Sequence, residues 1–128
     1  MPHLIVEYSA NLDGRADIAG LCDRLLATVL ASGLFEVGAV RVRALRADHY
    51  AIADRLPENA FVDLNFRIGK GRTIEECRQV GEAIFRTAQD VLESLFASPH
   101  FALSLEIREI DSDLSWKRNA IHQRLRGR

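Results

Sequence analysis

Apolar residues recur along four short segments of the chain in the way that β-strands require. The first segment runs from Leu4 to Tyr8, and the second, from Ala39 to Arg46, alternates in part with arginines. In the third, Phe61 to Ile68, every second residue is apolar, and the fourth runs from Phe101 to Ile110. Because successive side chains of a strand point to opposite faces, these segments predict four strands with one buried face.

Two longer segments instead carry apolar residues at spacings of three and four, which predicts amphipathic helices. The first helix is expected from about Asp17 to Ser32, because Gly33 then terminates it with a positive φ at no steric cost. The second is expected from about Thr73 to Ala97. Thr73 and Glu76 form the pattern of a capping box, in which each side chain binds a free backbone amide of the other residue.

The order of these elements is β-α-β followed by β-α-β. The first unit spans about residues 2–46 and the second about 60–110, within a single domain 1–128 that ends in the tail 111–128. Parallel strands joined by a helix cross over right-handedly, so both helices should lie on one side of the sheet. The prediction is an α/β (α+β) fold: a four-stranded mixed sheet with two helices on one face.

Three further expectations concern the regions outside the units. A short extra strand is expected at His49–Ile52, and Leu114 and Trp116 are expected to anchor the tail. The sheet face without helices is expected to be half apolar, and self-association is the usual way to cover such a face. The alternative is a monomer whose polar face meets water.

The composition fits an ordinary globular domain. The chain has 128 residues, 48% of them hydrophobic, with 17 Lys and Arg against 18 Asp and Glu, which excludes a disordered or low-complexity chain. The balanced charge argues against a general polyanion binder. The short tail is basic but lacks interleaved aromatic residues, so a solvated or subunit-bridging role is favoured over nucleic-acid binding.

The same composition bears on location. No apolar stretch is long enough to span a membrane, and the first residues lack the pattern of a signal peptide. Cys22 and Cys77 are far from the spacing of a redox or metal motif and are expected as small core residues. A cytoplasmic protein without membrane partners is expected.

Few residues suggest chemistry. The four histidines are scattered, so no metal site is expected, and no nucleotide-binding or nucleophile-elbow motif is present. The turn Gly69–Arg72 precedes a helix, where free amides can hold an anion. A glycine-rich turn often serves only as a turn, and that alternative stays open.

Pro2 is the most informative residue. Removal of Met1 would give Pro2 a free secondary amine, and an α-amino group has an ordinary pKa of about 7.7–8.0. Burial and nearby cations would lower that pKa and produce a neutral general base at the head of a strand. Without such removal, Pro2 is an ordinary residue near the N-terminus, and its nitrogen is an amide without a basic lone pair.

Three arginines are candidates for binding a substrate. Arg41 and Arg43 share one face of the second strand, and Arg72 lies at the glycine-rich turn. Guanidinium groups bind carboxylates through two parallel hydrogen bonds. The alternative for each arginine is a solvated surface charge or an ion pair between subunits.

Taken together, these features resemble the tautomerase superfamily, and within it the family of 5-carboxymethyl-2-hydroxymuconate isomerases. The resemblance extends over nearly the whole chain. The second β-α-β unit of this chain starts internally, near Ala60, and therefore has no free amine. The resemblance rests on these segments: Pro2–Glu7, Ala39–Arg43, Ala60–Val62, Ile68–Thr73, Leu103–Ile107 and Lys117–Asn119.

The resemblance implies a cofactor-free isomerase. Members of this family move a proton from the 2-hydroxyl of a dianionic or trianionic dienol to a carbon, which gives the 2-oxo-3-ene isomer. The reaction belongs to the catabolism of homoprotocatechuate and 4-hydroxyphenylacetate. Pro2 would transfer the proton, Arg41 and Arg72 would bind and polarise the substrate, and Arg43 would be a lesser ligand or pair across subunits. A homotrimer whose sheets surround a central channel is also implied.

Two alternatives remain. The chain would be another keto-enol tautomerase of the superfamily, acting on a different substrate. Otherwise it would be a trimeric small-anion-binding protein that keeps the fold and the pocket but lacks the base.

Overall fold

The computed structural model describes residues 1–127 and places four strands in one sheet in the order β2-β1-β3-β4. They are β1 (His3–Ser9), β2 (Arg41–Ala47), β3 (Ala60–Gly69) and β4 (Phe101–Ile110). β1 pairs in parallel with β2 and β3 with β4, whereas the central pair β1 and β3 is antiparallel. The predicted four-stranded mixed sheet is confirmed, and its two β-α-β units lie side by side in opposite directions.

The two predicted helices are present. Helix α1 spans Ile18–Ala31, and the carboxylate of its N-cap Asp17 accepts a hydrogen bond from the Gly20 amide at 2.9 Å. Helix α2 spans Ile74–Leu92 and continues as a tighter 3-10 turn, Glu93–Ala97, within the predicted range. The capping box is formed as predicted, so local sequence determines where α2 begins.

Both helices cover the same face of the sheet. Their buried side chains form one hydrophobic core with the alternate residues of the central strands β1 and β3. These central residues have no exposed surface, because the two helices cover the middle of the sheet. The fully buried members on the strands are Leu4, Val6, Val62, Leu64, Phe66 and Ile68.

The opposite face carries no helix and is mostly polar. Its apolar positions include Ile5, Leu45, Phe61, Ala102 and Ile110, but the polar ones outnumber them, so the face is less than half apolar, contrary to the expectation from the sequence. The polar side chains belong to all four strands, so no single strand accounts for the difference. They are His3, Glu7, Arg41, Arg43, Asp63, Asn65, Arg67, Ser104, Glu106 and Arg108.

The expected extra strand is wrong: His49–Ile52 forms bends and irregular backbone. The following turn contains Ala53 and Arg55, whose positive φ values of 50° and 67° no strand can adopt. The Asn59 side chain holds this loop by donating to the Ile52 carbonyl at 3.1 Å. Side-chain hydrogen bonds thus compete with strand pairing here.

The tail is attached differently from the prediction. Leu114 and Trp116 are 71% and 85% exposed, so neither anchors the tail to its own chain. A third helix, α3 (Ala120–Arg126), performs this role, and no pattern in the sequence predicted it. None of the described helices has the length and apolar character needed to cross a bilayer.

Candidate active site

The topology brings the ends of all four strands to one edge of the sheet. β1 and β2 begin there, with His3 beside Arg41, and the antiparallel β3 ends there. β4 also ends at this edge, where Gly69 pairs with Ile110. The N-terminus, the first residue of β2 and the glycine-rich turn therefore meet, although they are far apart in sequence.

A cavity of about 530 Å³ opens at this edge. Pro2 and Arg72 line it, together with residues of the α1–β2 connection and of the tail. The other lining residues are Met1, Phe35, Glu36, Ala39, Gly69, Lys70, Lys117, Asn119, His122, Gln123 and Arg126.

Pro2 is buried and held at the head of β1. Its carbonyl accepts a hydrogen bond from the Arg41 amide at 3.1 Å, which extends the ladder between β1 and β2 by one step. Met1 lies beyond it in the cavity, where its Sδ accepts from Arg41 Nη1 at 3.1 Å and from Asn119 Nδ2 at 3.3 Å. Two strong donors therefore converge on the weak acceptor of Met1.

The electrostatic setting favours anions and a neutral amine. Partial burial first, and then the charges of Lys117, Arg41 and Arg72, lower the pKa of the N-terminal amine below its usual value. Of the described lining residues, only Glu36 carries a carboxylate. Arg126 binds that carboxylate and holds its pKa below the usual range. Glu36 therefore stays ionised, and the Arg126 guanidinium compensates its negative charge within the site.

Arg72 is fixed by contacts on three sides. It donates to the Gly69 carbonyl at 3.0 Å and to the Leu34 carbonyl at 3.1 Å. Its guanidinium carbon lies 4.4 Å above the centroid of the Phe35 ring, a cation–π geometry, and Phe35 is itself buried. Most of the rotamer freedom of this side chain is therefore lost before any substrate binds.

The two arginines of β2 have different surroundings. Arg41 is half-buried and donates to the Ala39 carbonyl at 2.9 Å as well as to Met1. Arg43 lies on the helix-free face, where Nη1 donates to His3 Nδ1 at 3.2 Å, and it does not line the cavity. Arg41 does not line the cavity either, but it reaches the cavity through its contact with Met1, whereas Arg43 is bound to His3 on the sheet face. Of the predicted site residues, Pro2 and Arg72 therefore line the cavity, Arg41 borders it, and Arg43 lies to one side.

The tail closes the cavity. Asn119 caps α3 by accepting from the Ile121 amide, and its Nδ2 donates to the Gly38 carbonyl at 2.8 Å. His122 packs against Gly38 so closely that a Cβ added there would lie 3.1 Å from the His122 backbone nitrogen. The segment Lys117–Asn119 was part of the family resemblance, but sequence patterns did not indicate that α3 would form a wall.

The part played by Phe35, Glu36 and His122 was also missed. Phe35 and Glu36 follow Gly33 in an irregular connection, and His122 lies in the tail, so no periodicity singled them out. His122 Nδ1 lies 3.0 Å from Glu36 Oε2 but is buried without the alignment of a hydrogen bond. Only the long-range packing of the tail makes these residues neighbours.

Comparison with known proteins identifies close relatives. Residues 2–125 match the family model for 5-carboxymethyl-2-hydroxymuconate isomerase. The chain is 36% identical, over 95% of its own length and 97% of the relative, to 5-carboxymethyl-2-hydroxymuconate Delta-isomerase of Escherichia coli.

Solved structures agree with this match. A 5-carboxymethyl-2-hydroxymuconate isomerase from Deinococcus radiodurans R1 superposes with a TM-score of 0.91 at 40% identity, covering 97% of this chain and 93% of that one. A crystal structure of a 5-carboxymethyl-2-hydroxymuconate delta-isomerase gives a TM-score of 0.90 at 31% identity, covering 98% and 93%.

Proposed function

Because this chain belongs to the 5-carboxymethyl-2-hydroxymuconate isomerase family, we propose that Pro2, Arg41 and Arg72 carry out the reaction of an isomerase of this family in the cavity at the sheet edge. The substrate is the dienol 5-carboxymethyl-2-hydroxymuconate, and the product is its 2-oxo-3-ene isomer. The observation that carries the proposal is that Pro2 is buried and lines a cavity whose charges are mostly cationic.

The reaction requires that Met1 be removed, since a retained Met1 leaves Pro2 with an amide nitrogen. Removal would also free the donors of Arg41 and Asn119 that now converge on Met1 Sδ. The same burial and cations that lower the pKa of the present N-terminal amine would act on the Pro2 amine. A neutral secondary amine at neutral pH is the form that accepts a proton.

The proposed step moves one proton within the substrate. The Pro2 nitrogen accepts the proton of the 2-hydroxyl and then returns a proton to the carbon at the far end of the diene. The O–H bond is broken, a C–H bond is formed, and the double bonds shift to the 2-oxo-3-ene arrangement. No external oxidant, reductant or cofactor is needed for this balance.

Arg41 and Arg72 divide the binding of the substrate anions. One guanidinium holds the C1 carboxylate and the 2-oxygen and stabilises the charge that develops there. The other holds the remote carboxylates and fixes the diene over Pro2. Both assignments are consistent with their positions beside Pro2, and Arg43 is the weaker candidate because its guanidinium is engaged with His3.

The proposal also covers the assembly of the protein and its location in the cell. We infer a homotrimer in which the helix-free face of each sheet borders a central channel, supported by the packing of both α1 and α2 against the opposite face. A cytoplasmic location and a role in homoprotocatechuate catabolism are part of the proposal. The two free cysteines, Cys22 and Cys77, are consistent with a reducing compartment.

The decisive experiment follows ketonisation of 5-carboxymethyl-2-hydroxymuconate by ultraviolet absorbance. Protein shown by intact mass to begin at Pro2 should be active, and the fraction that retains Met1 should be inactive. Retention of Met1 should lower kcat/KM at least about 100-fold because it removes a positioned general base, whereas Pro2→Ala keeps a free primary amine and should lose less. Pro57→Ala, in an exposed loop, is the matched control and should leave the rate unchanged.

Near-normal ketonisation by the Met1-retaining form would refute the assignment of Pro2. A parallel assay with a 2-hydroxymuconate that lacks the carboxymethyl group tests the substrate. A large loss of kcat/KM supports the proposed substrate, and equal rates favour another keto-enol tautomerase.

A further inference from the structure

The helix-free face of the sheet carries one row of basic side chains across all four strands. In the strand register, Arg41 of β2 lies beside His3 of β1, and His3 lies opposite Arg67 of β3. Arg67 in turn lies beside Arg108 of β4. Arg43, two residues further along β2, points to the same face and donates to His3.

Most of this positive charge has no counter-charge within the chain. In the part of the chain that the structure describes, no carboxylate forms an ion pair with Arg41, Arg43 or Arg67. Arg108 alone is paired, with Glu106 at 2.8 Å. Like charges directly opposite one another destabilise a sheet, so the row is a repulsive arrangement in the isolated chain.

His3 adds a neutral donor to the row. Arginine can only donate, so the hydrogen bond from Arg43 makes His3 Nδ1 an acceptor and leaves the hydrogen on Nε2. Burial, together with the charges of Arg67, Arg43 and Arg41, lowers the pKa of His3 to about 4. Four guanidinium groups, of which only that of Arg108 is paired, and one ring N–H therefore share one end of the face, and all of them are donors.

From this juxtaposition we propose that the basic row is a binding site for a small inorganic oxyanion of the phosphate or sulfate class, on the sheet face outside the catalytic cavity. Guanidinium groups bind such tetrahedral anions in a bidentate manner, and an anion among them would remove the repulsion. The site shares Arg41, and the weaker candidate Arg43, with the proposed substrate site, whereas Arg67 belongs to the row alone.

The charge pattern of the face limits the ligand to a small anion. At the next level of the face, two residues along each strand, lie the carboxylate of Glu106 and the neutral side chains of Ile5 and Asn65. Glu7 and Asp63 lie at the level after that. An extended polyanion such as nucleic acid would meet these carboxylates, whereas a single tetrahedral anion would not.

The proposed trimer would strengthen the site, and this step rests on the proposed function. Under three-fold symmetry, the same residues of the three chains lie at the same height along the channel. The three basic rows would therefore face one another there. Their repulsion would then require an anion for the assembly to be stable.

Thermal unfolding tests the proposal directly. Inorganic phosphate is added to the natural protein while sodium chloride keeps the ionic strength constant. A ligand that binds only the folded state raises Tm, and we expect an increase of about 5 °C near saturation. No increase over chloride would overturn the proposal.

Variants locate the effect. Arg67→Gln should lose at least half of the phosphate increment, and in chloride it should unfold no lower than the natural protein, because a repulsive charge is gone. Arg67→Lys, which keeps the charge without the fork, should keep a smaller increment. Arg24→Gln, an exposed position on α1, is the matched control and should keep all of it.

The catalytic cavity also attracts anions, so it needs its own variant. Arg72→Gln should keep the increment if phosphate binds the row. Loss of the increment in Arg72→Gln, or its full retention in Arg67→Gln, would refute the site. The proposal would also be refuted if the protein were a dimer whose second copy covers this face and phosphate left its Tm unchanged.

The outcome is separable from the proposed function. Arg67→Gln is expected to retain the full ketonisation rate, so a failure of the anion site leaves the catalytic assignment untouched. Conversely, an inactive Pro2-started protein that still responds to phosphate through Arg67 would contradict only the proposed activity.

Discussion

At the scale of single residues, the role of a side chain depends on what fixes it. Arg72 and Arg43 are both arginines beside the N-terminal edge of the sheet, but their partners differ. Two backbone carbonyls and the Phe35 ring hold Arg72 at the cavity wall, whereas His3 holds Arg43 on the sheet face. The residue type sets the chemistry that is possible, and the partners decide where it is available.

Replacement of Arg72 should therefore affect both activity and stability. Arg72→Ala should lower kcat/KM about 10²–10³-fold, as loss of one charge-stabilising donor does. It should also lower the free energy of unfolding by about 1.5–3 kcal/mol, because two carbonyl partners lose a charged donor. Steady-state kinetics and urea unfolding measure the two effects.

The control for Arg72 is Arg78→Ala, which removes an exposed i,i+3 pair with Glu75. Such surface pairs contribute little, so both measurements should stay near those of the natural protein. Wild-type kinetics in Arg72→Ala would contradict its proposed role.

His3 should make stability depend on pH. Its pKa in the folded state, about 4, lies below the ordinary 6.5, so the unfolded chain binds more protons between these values. The free energy of unfolding should therefore fall as the pH drops through this window, by about 1 kcal/mol after solvent screening of a half-exposed ring. Chemical unfolding at a series of pH values measures the slope.

His3→Asn should flatten that slope, because the group that gains a proton on unfolding is absent. His49→Asn, in the exposed loop, should keep the natural profile. An identical pH dependence in His3→Asn and the natural protein would contradict the contribution of His3.

At the scale of elements, α3 is short but determines the shape of the site. Seven residues are too few for a stable isolated helix, so its attachments hold it in place. Asn119 binds Gly38 and caps the helix, and the Arg126 guanidinium binds Glu36. The tail thereby becomes the wall of the cavity that faces Pro2.

Gly38→Ala should displace this wall, since the new Cβ would approach the His122 backbone to 3.1 Å. We expect kcat/KM to fall about 10- to 100-fold, because a small misplacement of binding groups is costly. The β-sheet content measured by circular dichroism should not change. Arg124→Ala, at an exposed position of the same helix, is the control.

A Gly38→Ala protein with unchanged kinetics would show that α3 does not shape the substrate site. A protein that loses its sheet would instead place the role of Gly38 in folding, and Asn119→Ala, which removes the cap at a cost of about 1 kcal/mol, then provides the milder test.

At the scale of the whole molecule, two exposed features are of the kind that the proposed trimer would cover. The sheet has a face without helices, and the tail presents Leu114 and Trp116 to solvent. An apolar side chain that is 85% exposed in one chain is expected to pack against another chain in an assembly. This supports the proposed trimer.

The trimer should be visible by mass and by fluorescence. Sedimentation should give three times the 14.4 kDa chain mass. Trp116 is the only tryptophan in the sequence, so its emission reports on the tail alone and should shift to the blue as association increases with concentration. Trp116→Ser should weaken the assembly, whereas Ile74→Ser, at a residue of α2 that is 75% exposed, should not.

A monomeric mass with solvent-exposed tryptophan emission at all concentrations would refute the trimer. In that case the polar character of the helix-free face would be sufficient explanation for its exposure to water.

The sequence by itself determined what depends on neighbours along the chain. Strand alternation in β3, the helical stripe of α1 and the Thr73–Glu76 capping box are local patterns, and each led to the correct element. The resemblance carried by Pro2 and by the turn before Arg72 also indicated the family. These features need no knowledge of the rest of the fold, because backbone periodicity and capping are satisfied within a few residues.

Only the tertiary structure decided what depends on contacts between distant segments. The loop at His49–Ile52 is held by Asn59, and α3 exists because Asn119 and Arg126 bind the connection before β2. The lining of the cavity by Phe35, and the basic row through Arg67, follow from strand order and register. These are long-range choices, and the local pattern of apolar and polar residues leaves them open because it is the same for several arrangements of the strands.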